Sequence, residues 1–207
     1  IYLNPNFISF ETLHAENFAA INEYDEAKKL YNKIQKFGSV YSWHASKQIT
    51  SILINQKKKD AAIVFLEKNF KKIKNPTTYE IFDYAVFLKN NEKYEESIKY
   101  YSKIMNVIDE KHNLYGQILD GRGTAYERTD QWNKAEIDLL RSLSVSPNDA
   151  YVINYLAYSW IEKGINVEKS LDMLKKANAL KPNDGYIIDS LGWALFKLEN
   201  YKEAKKY

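Results

Sequence analysis

Small residues recur along this chain about every 35 residues, with bulky ones at fixed offsets between them. One series reads Ala15, Thr50, Ala85, Gly123, Ala157 and Gly192. A second reads Ala27, Ala62, Ser97, Ala135, Ser170 and Ala204, allowing one extra residue at Ile165 or Asn166. Phe18, Leu53, Leu88, Tyr126, Trp160 and Leu195 follow the first series at a constant distance. Tyr24, Lys59, Tyr94, Trp132, Val167 and Tyr201 stand just ahead of the second, and Tyr31, Leu66, Tyr101, Leu139 and Leu174 just after it. A fixed period of this length is the signature of a helical repeat array. The reason is steric. Two antiparallel helices bring their backbones close only where both carry small side chains, and bulky side chains fill the space on either side.

Helical periodicity and turn residues divide the chain accordingly. The helices are read as Ser9–Ala20, Glu26–Lys36, Ser42–Gln56, Asp60–Lys72, Thr77–Lys89, Tyr94–Ile108, Gln117–Arg128, Trp132–Leu143, Tyr151–Lys163 and Val167–Leu180. A sixth pair begins at Gly185 and is cut short. Asn75-Pro76, Ser146-Pro147-Asn148-Asp149 and Lys181-Pro182-Asn183-Asp184 punctuate the pairs. The expected organisation is a single array over 1–207, with approximate repeats 8–41, 43–76, 78–111, 116–149, 150–184 and a partial 185–207.

With 45% hydrophobic and 28% charged residues the chain is expected to fold rather than stay disordered. Seven Gly and four Pro are few for a fold made of tight turns, and they favour helices. A net charge of +3 does not call for nucleic acid, whose binders show a basic stripe. The absence of Cys removes disulfides, thiol nucleophiles and zinc ribbons. No apolar run approaches the roughly 20 residues of a membrane-spanning helix. The chain opens IYLNPNF without Met and stops inside a helical pattern at Tyr207, so it reads as a fragment of a longer protein.

The two small series flanking bulky ones resemble the tetratricopeptide repeat, a helix-turn-helix unit of about 34 residues. The resemblance covers Ser9 to Tyr207 and is strongest from Gly116 onward, where Pro147 and Pro182 occupy the family's closing proline. In the first two repeats Lys59 replaces the turn aromatic, and His14 stands where the family prefers Leu. The segment NYLAYSWIEKG…DGYIIDSLGWALFKLENY is also similar to bacterial multi-repeat scaffolds, many of them secreted or lipid-anchored, which favours a periplasmic or cell-envelope location.

The resemblance implies an all-α fold, a right-handed α-solenoid of stacked antiparallel helix pairs. In it the first helix of each pair lines a concave groove. The implied groove residues are Tyr79, Phe82, Val86, Lys89 and Asn90, then Gln117, Asp120, Thr124, Glu127 and Arg128. Tyr151, Asn154, Tyr158, Ile161 and Glu162 follow, then Tyr186, Asp189, Trp193, Phe196 and Lys197. The candidate partner-binding set is Tyr151, Asn154, Tyr158, Tyr186, Asp189 and Trp193, since Tyr and Trp are the residue types most often found as binding anchors. Repeats that clamp acidic chaperone tails carry cations and Asn on consecutive first helices; here Phe82, Asp120 and Asp189 stand at such positions.

No enzyme is read from the residues, and neither cofactor nor metal is expected. His14, His44 and His112 fall in different repeats without paired-ligand spacing. Gly121-Arg122-Gly123 looks like the opening of a phosphate loop, yet no strand precedes it and Gly123 already belongs to the small series. The expected role is a non-catalytic scaffold that takes a protein or peptide in its groove. Self-association as a homo-oligomer is the alternative. RNA binding by a helical repeat ranks below both, because Asp120, Glu127, Glu162 and Asp189 sit among the inner positions.

Overall fold

A computed structural model describes residues 5–207, leaving aside the side chains of residues 5, 6 and 39; residues 1–4 of the expected array lie outside the described residues. The described residues form twelve α-helices and no strand. They are α1 (Pro5–Ala20), α2 (Tyr24–Ile34), α3 (Ser39–Asn55), α4 (Lys59–Phe70), α5 (Thr78–Asn90), α6 (Tyr94–Met105), α7 (Tyr115–Glu127), α8 (Trp132–Val145), α9 (Ala150–Lys163), α10 (Val167–Leu180), α11 (Gly185–Lys197) and α12 (Tyr201–Ala204). The chain divides into two compact units, residues 1–80 and 81–207, and the boundary falls in the first turn of α5.

In the first unit α1 packs on α2 and α3 on α4. Ala15 and Ala27 are fully buried in a core with Ile8, Tyr31, Ile34, Ala45, Ile49 and Ile52. Thr50 and Ala62 are buried on α3 and α4. Thr77 and Glu80 start α5 with a reciprocal capping box: the Thr77 backbone N–H donates to Glu80 Oε2 at 2.7 Å, and the Glu80 N–H to Thr77 Oγ1 at 3.2 Å.

The second unit shows what the small residues do. Ser97 on α6 donates its hydroxyl to the Ala85 carbonyl on α5 at 2.9 Å. A Cβ added to Gly123 on α7 would lie 3.2 Å from the Ala135 carbonyl and 3.0 Å from Leu139 Cγ on α8. One added to Gly192 would lie 3.8 Å from the Ala204 carbonyl. Ala157 and Ser170 are fully buried on α9 and α10, whereas Gly192 and Ala204 are only partly buried. Three local cores then join consecutive pairs. Leu139 meets Val152, Leu156 and Trp160; Ala150 and Ile153 meet Ala177 and Ile187; Ala157, Ile161 and Leu174 meet Leu191, Ala194 and Leu195. Each fully buried Leu or Ile contributes roughly 1.5–3 kcal/mol relative to exposure.

One hydrogen bond closes every hairpin turn. The acceptors are the carbonyls of Phe18, Leu53, Leu88, Tyr126, Trp160 and Leu195, which are the bulky series of the sequence. The donors are the backbone N–H groups of Glu23, Lys58, Lys93, Gln131, Ile165 and Asn200, at 2.8–3.0 Å. This is the long bond of a Schellman C-cap, and it requires a left-handed residue just before the donor. That residue is Asn22, Lys57, Glu92, Asp130, Gly164 and Glu199 in turn, with φ between 58° and 66°. In the fifth turn the bond lands on Ile165, so the extra residue of that repeat is Asn166, itself left-handed at φ 48°.

The turns between pairs are built differently. Asp149 and Asp184 cap α9 and α11 by accepting the N–H groups of Tyr151 and Val152, and of Tyr186 and Ile187. Pro147 and Pro182 are exposed in the turns that lead to those caps, and the Pro147 carbonyl accepts from Lys176 Nζ at 2.7 Å. The helix before each cap ends on its own side because Pro disfavours continuation.

Candidate functional site

Beside Phe82, Val86, Lys89 and Asn90 on α5, the first helices α7, α9 and α11 carry the candidate groove residues of the second unit. Their buried sides are set by Ile118, Leu119 and Gly123, by Ile153, Leu156 and Ala157, and by Ile187, Leu191 and Ala194. On α7 only Gln117 is exposed, whereas α9 and α11 leave their remaining face open. On it Tyr186 is 83% exposed, Tyr151 50%, and Tyr158 and Trp193 37% each. Aromatic surface of this extent on consecutive helices is what protein-binding faces use.

Neighbouring side chains hold Trp193 and Tyr151 in place. The Trp193 indole N–H donates to Glu162 Oε1 at 2.6 Å, and its ring stacks on Phe196 with centroids 5.6 Å apart. Lys197 lies over the other part of this cluster, 5.1 Å from the Trp193 centroid and 3.8 Å from Glu162. Burial pushes the Tyr158 phenol above its ordinary pKa, the Glu162 and Asp189 carboxylates add to the rise, and Arg128 opposes it. Tyr158, Glu162, Asp189 and Trp193 therefore belong to one patch.

Tyr151 is placed apart from them. Its hydroxyl donates to Asp184 Oδ2 at 2.9 Å, and Lys181 stands 4.3 Å above its ring. Asp184 is also the cap of α11, so Tyr151 ties one repeat to the next at the turn end of the face. Asn154 is half-buried, and its Oδ1 is buried with no hydrogen-bond partner. Asp189 is exposed.

Two cavities flank the patch. A small polar one of about 90 Å³ is lined by Glu127, Arg128, Tyr155, Tyr158, Ser159, Glu162 and Lys163. Within it the Tyr155 hydroxyl donates to Glu127 Oε2 at 2.8 Å, which with burial holds that phenol neutral well above its ordinary range. An open apolar cleft of about 460 Å³ lies beside α12, lined by Asp189, Gly192, Trp193, Phe196, Tyr201, Ala204, Lys205 and Tyr207. Among the described residues no group of three or more His, Asp or Glu is placed to hold a metal ion, and no helix is long and apolar enough to cross a membrane. His14 stacks on Phe18 at 4.7 Å, and His112 Nδ1 accepts the Leu114 N–H at 3.1 Å.

No protein-family model matches the chain. It is 25% identical over 123 residues to a TPR repeat-containing protein of Pseudomonas aeruginosa, a match that covers 59% of this chain and 20% of that relative. The chain thus spans about one fifth of the length of that curated relative. Among solved structures, PilW, a widely conserved type IV pilus biogenesis factor, aligns with a TM-score of 0.77 at 18% identity, covering 99% of this chain and 91% of PilW. The chain has the tetratricopeptide-repeat fold. A tetratricopeptide repeat protein from Parabacteroides merdae aligns at TM-score 0.73 and 13% identity, over 96% of this chain and 76% of that one. Pseudomonas aeruginosa PilF aligns at 0.71 and 12%, over 97% and 88%. At these identities the likeness is one of fold, and the tetratricopeptide repeat is in general a protein-interaction scaffold.

The repeat pattern missed the polar contacts within and between tetratricopeptide repeats. Arg122 makes a bidentate pair with Asp138 on α8, at 2.6 and 2.9 Å, and reaches Ser102 on α6 at 3.3 Å. Burial opposes its charge, but the Asp138 carboxylate outweighs that and raises the guanidinium pKa. Gly121 is a second close-approach glycine: a Cβ there would run into the Tyr101 hydroxyl and lie 2.6 Å from its Cζ. Only the approach of α6 explains it, and nothing local in the sequence signals that approach.

Proposed function

We propose that this chain is a non-catalytic scaffold that holds a segment of a partner protein against the first-helix face of α7, α9 and α11. The observation that carries the reading is the Tyr158–Trp193 patch, where both rings are open to solvent and the Trp193 indole is held by Glu162. Rigid aromatic anchors lose little conformational freedom on binding, which favours them as the centre of an interface. Tyr186 extends the surface, and Tyr151 supports it from the turn end. The likeness to a type IV pilus biogenesis factor favours a cell-envelope setting.

The test is capture from whole-cell lysate and from the envelope fraction, comparing the wild type with a Tyr158→Ala/Trp193→Ala variant shown to be folded by circular dichroism. Loss of hot-spot anchors lowers affinity by roughly 30-fold or more. A partner held by the wild type and lost by the variant supports the reading; a partner held equally by both moves the site to another face.

The apolar cleft beside α12 favours a second reading, self-association, because Phe196 and Tyr201 are 50% and 56% exposed in it. Light scattering decides it: a mass constant at 24.3 kDa over a wide concentration range removes self-association for this chain.

A further inference from the structure

The open face carries hydrogen-bond acceptors that the chain itself leaves short of donors. Asp120, Asn154 and Asp189 each stand three residues before the small residue of their helix, so they share one register on α7, α9 and α11. Asn154 Oδ1 is buried with no partner. Asp189 has neither an ion pair nor a hydrogen bond among the described residues, although it lines the cleft beside Trp193. Asp120 is half-buried; burial pushes its carboxyl above the ordinary pKa, Lys89 opposes that rise and Asp149 adds to it.

The cations of the same face are already engaged. Arg128 Nε lies 3.7 Å from Glu127, and Lys197 Nζ lies 3.8 Å from Glu162 and over the Trp193 ring. Lys163 is turned to the Trp132 ring at 4.9 Å. Lys205 lines the cleft from just beyond α12, not from the first-helix face.

This imbalance restricts what can dock. Any segment that covers Tyr158 and Trp193 also dehydrates Asp189, and a carboxylate dehydrated without a counter-charge is strongly unfavourable. A neutral segment cannot offset that cost, and an acidic one adds repulsion. An ammonium or guanidinium group offsets it and brings donors as well. Resting on the scaffold reading above, we infer that the segment received by this face is cationic: it carries a Lys or Arg between apolar residues. The apolar residues lie on Tyr158 and Trp193, and the charged head meets Asp189, which is exposed. Arg suits the place best, since its planar fork presents several donors at once.

The test uses a random peptide library displayed on phage, panned against the full chain, against Asp189→Asn and against Tyr158→Ala/Trp193→Ala, each shown to be folded by circular dichroism. Sequences enriched on the wild type should carry Lys and Arg in clear excess over Asp and Glu. An enriched peptide made synthetically should bind about 10-fold more tightly than its copy with Gln at the cationic positions, and more weakly as salt is added. Asp189→Asn should abolish that difference. Enriched peptides that need Tyr158 and Trp193 but show no cationic excess, or show an acidic one, overturn the assignment and leave the scaffold reading standing. Enrichment indifferent to Tyr158 and Trp193, or no enrichment at all, overturns both.

Discussion

Gly123 faces the Ala135 carbonyl so closely that a Cβ at Gly123 would stand 3.2 Å from that oxygen. Backbone cannot yield as the tip of a side chain can, and Leu139 Cγ blocks the same volume at 3.0 Å. The crossing of α7 and α8 is therefore fixed by the absence of one methyl group. Overpacking of this kind costs roughly 1–3 kcal/mol. Gly123→Ala should lower the melting temperature accordingly. Gly116→Ala is the control: its Cβ would meet Ser146 Oγ at an ordinary 3.6 Å, so the mutant gains up to about 1 kcal/mol of helix propensity. Equal effects of the two changes in a thermal melt would contradict the close crossing.

The hairpin turns predict opposite effects for the same residue type. Gly164 occupies the left-handed position of the fifth turn at φ 66°, and Glu92 the same position of the third at φ 65°. A side chain in that conformation costs about 1 kcal/mol. Gly164→Ala should destabilise by about that amount, and Glu92→Gly should leave stability unchanged or raise it by up to about 1 kcal/mol, offset by the greater freedom of the unfolded chain. Urea denaturation midpoints at constant slope would read both.

These turns also mark how far the sequence could be read. Helix α10 spans Val167–Leu180 in the structure, as periodicity places it, because its flanks are polar and its apolar face is regular. Helix α7 begins at Tyr115 rather than Gln117. Tyr115 carries no capping signal and is drawn into the helix by burial, 3% exposed. The left-handed residues of most turns are Asn, Lys, Glu or Asp, so the glycine signal that would have revealed the shared C-cap is absent except at Gly164. In the candidate site, the aromatic residues are visible from their register alone. Their division into an open patch around Tyr158 and Trp193 and a turn-end tie at Tyr151 is not, because it depends on Glu162 and Asp184 from neighbouring helices.

Buried tyrosines predict loss of stability in alkali. Burial pushes the Tyr31 phenol from its ordinary 10.0 up to about 12, with the Glu16 charge adding to the rise. Tyr101 and Tyr155 are raised in the same direction, again chiefly by burial. An acid whose folded pKa lies above its unfolded value stays neutral in the fold while the unfolded chain ionises. The contribution of Tyr31 is thus full below about pH 10 and is lost as the pH rises through about 12. Melting temperatures measured between these limits should fall, and Tyr31→Phe should flatten the fall. A wild-type profile parallel to that of the Phe variant would exclude the contribution.

Asn154 carries a stability cost within the fold. Its Oδ1 is buried without a donor, and an unsatisfied buried acceptor costs about 1–3 kcal/mol. Asn154→Leu has nearly the same shape and removes that acceptor, so it should leave the melting temperature unchanged or raise it. Because Oδ1 is closed to the surface, the change should also leave the affinity of any peptide selected on the wild type within about 2-fold. A variant that loses stability would instead show that Oδ1 is satisfied within the fold.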